Sequence, residues 1–262
     1  MLIKLPEITE GYNPITEMDG VGKEMLMDIG VQKISGGTSV DFFDEEKETA
    51  FLMLDGEVIF KYGGKEITAK RTSLLDEGCT VLHVCKGTKV TVEALTDAEI
   101  QVQKTTNEKE FEAKFYLPDD CVNGVFGDGQ WGNTARRIVR TVFDYETAPY
   151  SNMVLGEIIN FPGRWSSYIP HGHDQPEVYY YRFQRPEGFG AAFIGEDAFK
   201  IYDNSALCIP GGPTHPQAAA PGFVMWYSWM IRHLDGNPWT SRDIDTRYEW
   251  LLDENVKIWP EK

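Results

Sequence analysis

Two histidines one residue apart, His171 and His173, stand in the stretch IPHGHDQPEVYYYRF, with Glu177 four residues beyond the second. In a strand, residues i and i+2 face the same side, so both imidazoles can reach one point. Asp174-Gln175-Pro176 reads as a turn, because Pro176 cannot extend a central strand. A hairpin there folds Glu177 back beside the histidines. A fourth donor, His215, follows Pro210-Gly211-Gly212-Pro213, a stiff turn that delivers it into the next strand. Three imidazoles and a carboxylate are borderline donors suited to a divalent transition metal. They can close a tetrahedral zinc site or, in a roomier pocket, leave positions for substrate oxygens. The expected cofactor is one divalent metal, zinc first, with manganese, iron or nickel compatible with the same donors. A lone His-x-His is often only a polar strand end. The following glutamate and the distant Gly-rich turn with its histidine make the pattern specific. His83 lies in a strand-like run without partner donors and His233 follows WMIR near a turn, so both are expected to be structural.

Such donors need a rigid frame, and strand-like runs dominate the chain. TAFLMLDGEVIFKYGG, TVLHVCKGTKVTVEAL and AEIQVQKT lie in the first half. RIVRTVF, MVLGEIINF, EVYYYRF, GFGAAFI, SALCIP and GFVMWYSWMIRHL lie in the second. Short β-branched or aromatic runs separated by Gly, Asp and Lys turns predict an all-β barrel or sandwich. A loose echo between SLLDEGCTVLHVCKGTKV and FKIYDNSALCIPGGPTHP suggests two copies of one β fold. The expected division is an N-terminal domain over 1–118, a Gly/Asp/Asn-rich linker over 119–145 and a metal-binding domain over 146–262. Only SRDIDTRYEWLLDE has helical spacing. The first half has no His-x-His and reads VCKGTK where a second motif would fall, so it is expected to hold no comparable metal and to serve for packing or to cover one edge of the other sheet.

A net charge of −16 argues against nucleic acid and anionic membranes as partners. An anionic ligand would need local positive charge, from a metal or arginines. Cys79, Cys85, Cys121 and Cys208 form no C-x-x-C pair and read as free, buried thiols. No apolar run approaches the roughly 20 residues of a membrane helix, and MLIKLPEITEGYNP lacks a signal layout. A cytoplasmic protein is the expectation.

The two histidine segments resemble the two cupin motifs at His171, His173, Glu177 and His215, with Ala219 where an asparagine is usual. Their surroundings narrow the resemblance. GRWSSYIPHGHD (Gly163 to Asp174), EVYYY, Gly188-Phe189, IPGGPTHPQAAAPGF, WYSWM and the closing YEWLL are similar to the 5-deoxy-glucuronate isomerase family, bicupins of bacterial inositol breakdown. The likeness covers most of the C-terminal half strongly and the N-terminal half weakly, through its β pattern and ARRIVR. It implies an all-β bicupin: two jelly-roll barrels in tandem with a short C-terminal helix. It also implies a metal-dependent aldose–ketose isomerase converting 5-deoxy-glucuronate to 2-deoxy-5-keto-gluconate in myo-inositol catabolism. Departures bear on the sugar acid: Ile169 replaces a proline, Tyr181 stands where histidine is frequent, and Ala192 and Phe193 replace a Gln–Arg pair.

The implied reaction needs an electrophile on the carbonyl oxygen, which a metal supplies, and a group that moves the proton. Glu157 interrupts an apolar strand and is the expected base; the alternative places it on the outer face, with Val154 and Ile158 inward. Tyr179 and Tyr181 share parity with Glu177 and are further catalytic candidates, or simply barrel-filling. An arginine fork suits the substrate carboxylate. Arg137 and Arg164 are preferred over Arg140 and Arg182, and Tyr168 joins them as a substrate-binding candidate. Three other readings stay open: a sister uronate isomerase with another substrate, an iron cupin dioxygenase, and a non-catalytic sugar-acid binding protein. The expected partner is a small sugar acid; a homo-oligomer is compatible with the sequence.

Overall fold

A computed structural model describes residues 1–260. Two β-barrel halves pack face to face, which is the bicupin architecture expected. The frame of the first half is Lys47–Tyr62, a 16-residue strand. Its first part pairs with Val81–Val84 and Ala98–Thr106, and its second with Lys65–Arg71 and Val90–Ala94. One strand thus serves both walls of the barrel. The interior is filled by apolar side chains, among them Phe51, Phe60, Leu82, Val92 and Ile100, with Phe42 and Phe115 packed against them.

The main sheet of the second half has seven strands, in the order Leu2–Lys4, Ser205–Ile209, Glu177–Phe183, Met225–Arg232, Met153–Asn160, Arg137–Phe143 and Val122–Phe126. Opposite it lie Trp165–Ser166, Gln217–Ala219, Phe189–Ile194 and Asp197–Tyr202. A short ribbon pairs His171–Gly172 with Asp243–Ile244. The helical tail is a 3-10 helix over Thr246–Leu252. Among the described residues no helix is long and apolar enough to cross a membrane, and the four cysteines are free and buried.

Two boundaries differ from expectation. The segment read as a linker over 119–145 carries two strands, Val122–Phe126 and Arg137–Phe143, that extend the second half's sheet. Its glycines and asparagines belong to the turns around them. Leu2–Lys4, assigned to the first domain, instead pairs with Ser205–Leu207 and covers the far edge of the second sheet.

Between the halves lies a third apolar layer, which includes Met27, Ile29, Leu52 and Val81 from one side and Leu155, Ile159, Trp226 and Met230 from the other. Several polar groups inside this layer pair across it. Ser228 donates to Gln101 (2.5 Å) and Arg232 Nε to Thr105 (2.8 Å). His83 faces this layer too. Its Nε2 meets Glu48 at 2.8 Å and its ring stacks on Phe143. It is the structural histidine that the sequence suggested.

Candidate metal centre

The expected donors converge at the mouth of the second barrel. His173, Glu177 and His215 place one ligand atom each within 4.8 Å of one another, and all three are buried. Glu177 Oε2 lies 3.3 Å from His173 Nε2 and 3.2 Å from His215 Nε2. His171 stands slightly back, its ring centroid 5.2 Å from that of His215.

Each imidazole is locked by the main chain. Nδ1 of His171 meets Ile169 O at 2.8 Å, Nδ1 of His173 meets Gln175 O at 2.9 Å, and Nδ1 of His215 meets Pro213 O at 3.0 Å. A carbonyl only accepts, so Nδ1 carries the proton in all three and the Nε2 lone pair is left for the centre. The glycines between the donors let the two loops touch. A Cβ on Gly172 would lie 2.3 Å from Gly212 O, and one on Gly211 would lie 1.9 Å from Asp174 O. Gly212 N also donates to His173 O at 2.8 Å, tying one ligand loop to the other.

The charges fit a cation. Burial, with His215 adding to it, pushes His171 down to about 3, so its imidazole stays neutral. Burial would raise Glu177, but the neighbouring His173 and His215 rings outweigh it and hold the carboxyl well below its ordinary value. Burial pushes His215 down, and the Glu177 carboxylate more than offsets it, for a net rise. Nε2 of His215 is buried with no hydrogen-bond partner, although it lies at ion-pair distance from Glu177. A lone pair directed at a carboxylate that cannot donate is a poor contact without a cation between them. The donor set therefore fits a divalent transition metal.

An inner cavity of about 50 Å³ touches all four donors, Ser167 and Tyr179, and is walled by Phe126, Trp229 and Trp239. It adjoins a vestibule of about 690 Å³, with which it shares Phe126, Arg137, His171 and Arg242. Arg137 is 6% exposed and donates to Ala135 O (2.8 Å) and Tyr168 O (3.2 Å). Its Nε has no partner, and no carboxylate among the described residues forms an ion pair with it. Tyr168 lines the vestibule, its ring between Trp131 and Trp165.

The other expected residues fall elsewhere. Glu157 is not in this site. It lies on the opposite face of its strand, where Arg71 of the first half donates to both of its oxygens at 2.5 and 2.9 Å and Arg140 approaches at 3.3 Å. Val154 and Ile158 fill the barrel interior instead, so the outer-face alternative holds. Tyr181 points into the barrel but lies beneath the cavity, donating to Gln217 Oε1 at 2.5 Å; it is a barrel-filling residue. Arg164 lines neither cavity. Arg182 pairs with Glu99 at 2.9 Å. Ala192 sits in the apolar interior and Phe193 stacks on Trp165, so neither departure faces the inner cavity. His233 accepts from Trp239 N at 3.0 Å and so fixes a cavity wall.

Sequence reasoning missed Arg242, Trp239, Ser167 and Gln217. Arg242 was hidden in an acidic tail that read as a helix; the strand it precedes, Asp243–Ile244, pairs beside His171. Ser167 lay in plain view in WSSY.

The chain matches the KduI/IolB family over residues 1–251. A curated relative from Geobacillus thermodenitrificans, named 5-deoxy-glucuronate isomerase, is 28% identical over 63% of this chain and 63% of its own, so the chain spans a little under two thirds of that relative. A relative of the same name from Bacillus licheniformis is 21% identical over 94% of this chain and 96% of its own. Among solved structures, an IolB-like protein from Salmonella typhimurium LT2 superposes with a TM-score of 0.85 at 18% identity, covering 96% of this chain and 98% of that one. The oxalate decarboxylase of Lactobacillus farciminis superposes at 0.68 and 11% identity, covering 94% and 89%, and shares the fold. The relatives are named as isomerases, the match runs through both barrels, and the chain belongs to the KduI/IolB family.

Proposed function

We propose that this protein is a metal-dependent intramolecular aldose–ketose isomerase acting on a deoxy sugar acid, with 5-deoxy-glucuronate to 2-deoxy-5-keto-gluconate as the favoured conversion. The names of the curated relatives support the reaction class. The observation that carries the substrate class is Arg137. A guanidinium this buried, with no carboxylate of its own and in one cavity with four metal donors, is a costly arrangement unless an anion completes it. A sugar acid brings that carboxylate, and the planar fork of Arg137 can hold it. Arg242 adds positive charge at the junction of cavity and vestibule, against a net charge of −16.

His171, His173, Glu177 and His215 would hold the metal, zinc being the first choice for this donor set. When bound, it supplies Lewis-acid polarisation of the substrate carbonyl. The chain's own residues do the rest. Arg137 anchors the acid end and so fixes which carbons reach the donors. Phe126, Trp229 and Trp239 keep bulk water from the enediol stage. With Glu157 outside the site, Tyr179 Oη is the phenol at the cavity wall; burial and the Glu177 carboxylate keep it protonated, and it is assigned to donate to a substrate oxygen while the proton moves between the neighbouring carbons. The reading places the protein in inositol catabolism in the cytoplasm. Protein purified without chelator should contain one equivalent of divalent metal and isomerise a uronate without oxygen or added cofactor. A screen of uronates with zinc, manganese, iron and nickel that yields no isomer would sink the proposal.

A further inference from the structure

We infer that Ser167 is a substrate-contacting residue: its hydroxyl and that of Tyr179 form a paired donor for an acceptor oxygen of the sugar acid. This rests on the isomerase reading above. Two observations, independent of each other, meet at this residue.

The first is hydrogen-bond accounting. Ser167 Oγ and Tyr179 Oη are 3.2 Å apart, and both residues are buried and line the inner cavity. Gln217 Nε2 donates to Ser167 Oγ at 3.1 Å, while Gln217 Oε1 accepts from Tyr181 at 2.5 Å. The amide is therefore oriented from both ends, and Ser167 must accept from it. The Ser167–Tyr179 pair then holds two hydroxyl protons and makes one mutual bond. Whichever oxygen donates to the other, one O–H is left over. Tyr227 Oη donates to Ser166 Oγ at 2.9 Å, and its oxygen, beside Ser167, is the acceptor the protein itself offers that O–H. On the cavity wall the same O–H can turn to an acceptor oxygen on a ligand.

The second is the backbone. Ser167 has φ +49°, in the left-handed region that favours glycine. Its side chain makes no bond to its own turn that would explain this conformation; its partners are Tyr179 and Gln217, both from other strands. A side chain held in a strained conformation at a cavity wall, with its hydroxyl aimed by a fully buried glutamine, is organised around that hydroxyl. The ligand chemistry follows: the pair offers a proton, so it recognises a hydroxyl or carbonyl oxygen as acceptor.

Glycine at 167 separates the hydroxyl from the backbone. Ser167→Gly relieves the strain at φ +49° but leaves the Gln217 amide without its acceptor, so it should stay folded and melt within a few degrees of wild type, with unchanged metal content. Ser167→Ala keeps the Cβ and loses only the hydroxyl. Both should lower kcat/KM for the uronate substrate about tenfold. Wild-type kcat/KM in Ser167→Gly would overturn the inference, whatever Ser167→Ala does. So would loss of the cooperative melting transition in Ser167→Gly, because the serine would then be serving the fold. Turnover of a uronate by the wild-type protein is measured alongside: if it is absent, the isomerase reading fails and this inference with it. If it is present and unchanged in Ser167→Gly, only this inference fails.

Discussion

Glu157→Gln separates catalysis from architecture in one substitution. The Glu157 carboxylate is fully buried between Arg71 and Arg140, and both arginines also donate to the main-chain carbonyls of Leu74 and Glu77. Glutamine keeps the shape and one acceptor but leaves two guanidiniums in the layer between the barrels without a counter-charge. Removing one partner of a buried ion pair costs about 3–5 kcal/mol. At roughly 2–4 °C per kcal/mol for a chain of this size, the melting temperature should fall by about 10 °C. The pH dependence has a definite sign. Burial opposes ionisation of Glu157, but the charge and hydrogen bonds of Arg71 and Arg140 win and hold its pKa below the ordinary 4.5. A carboxyl lowered in the folded state stabilises fully above its unfolded pKa, and that contribution is lost as pH falls below about 4.5 toward the folded value. Urea unfolding followed by tryptophan fluorescence, from pH 7 down to pH 3, should show wild type losing stability on the acid side and Glu157→Gln losing much less. Activity per folded molecule should stay within about twofold of wild type. If instead the variant unfolds like wild type and loses about 10²–10⁴ in turnover, the range for a lost general base, Glu157 is the base and its ion pair is incidental.

His173→Ala should abolish metal retention, measured by elemental analysis after gel filtration, with the β circular-dichroism signature intact; one equivalent of metal retained would refute the ligand set. Gly172→Ala drives a methyl group against Gly212 O and should part the two ligand loops, lowering metal affinity at least tenfold while the barrels stay folded. Metal affinity equal to wild type would show that the loops need not touch. Arg137→Met should raise KM for a uronate about 10²-fold, since a hydrogen-bonded ion pair to the substrate is lost. A comparable loss with the neutral aldose of the same carbon skeleton would show that Arg137 does not read the carboxylate.

The clustering of the candidate donors was legible because its constraints are local. Alternation, a proline turn and a glycine-proline turn aim His171, His173, Glu177 and His215 without reference to the rest of the chain. Glu157 was misread because both faces of Met153–Asn160 are buried, one in the barrel and one against the first half. Alternation of apolar residues then says nothing about which face is which. Arg71, the residue that settles it, lies in the other half and could not be connected to Glu157 by pattern. The strands at Val122–Phe126 and Arg137–Phe143 were masked by the turn residues around them. Arg137 was found as a basic residue wanting an anion, but Arg242 needed the pairing of Asp243–Ile244 with His171–Gly172 to bring it to the mouth. Ser167 carried a signal in the repeated hydroxyls of WSSY, which only the surrounding tyrosines and Gln217 could interpret.

The crossing of Leu2–Lys4 to the far edge of the second sheet has a consequence for how the molecule is made. On a ribosome those residues emerge some two hundred residues before their partners at Ser205–Leu207. The first barrel can close beforehand, since its strands pair among themselves. The second cannot cover its outer strand until Ser205–Leu207 is out, and Leu2–Lys4 must stay unengaged until then. Contacts so distant in sequence form late and slow the final step. Meanwhile Ser205–Ile209 waits as an open edge able to capture the Leu2–Lys4 strand of another nascent chain. Dense expression should therefore favour strand-exchanged dimers, and slowing synthesis or lowering temperature should favour the monomeric closure.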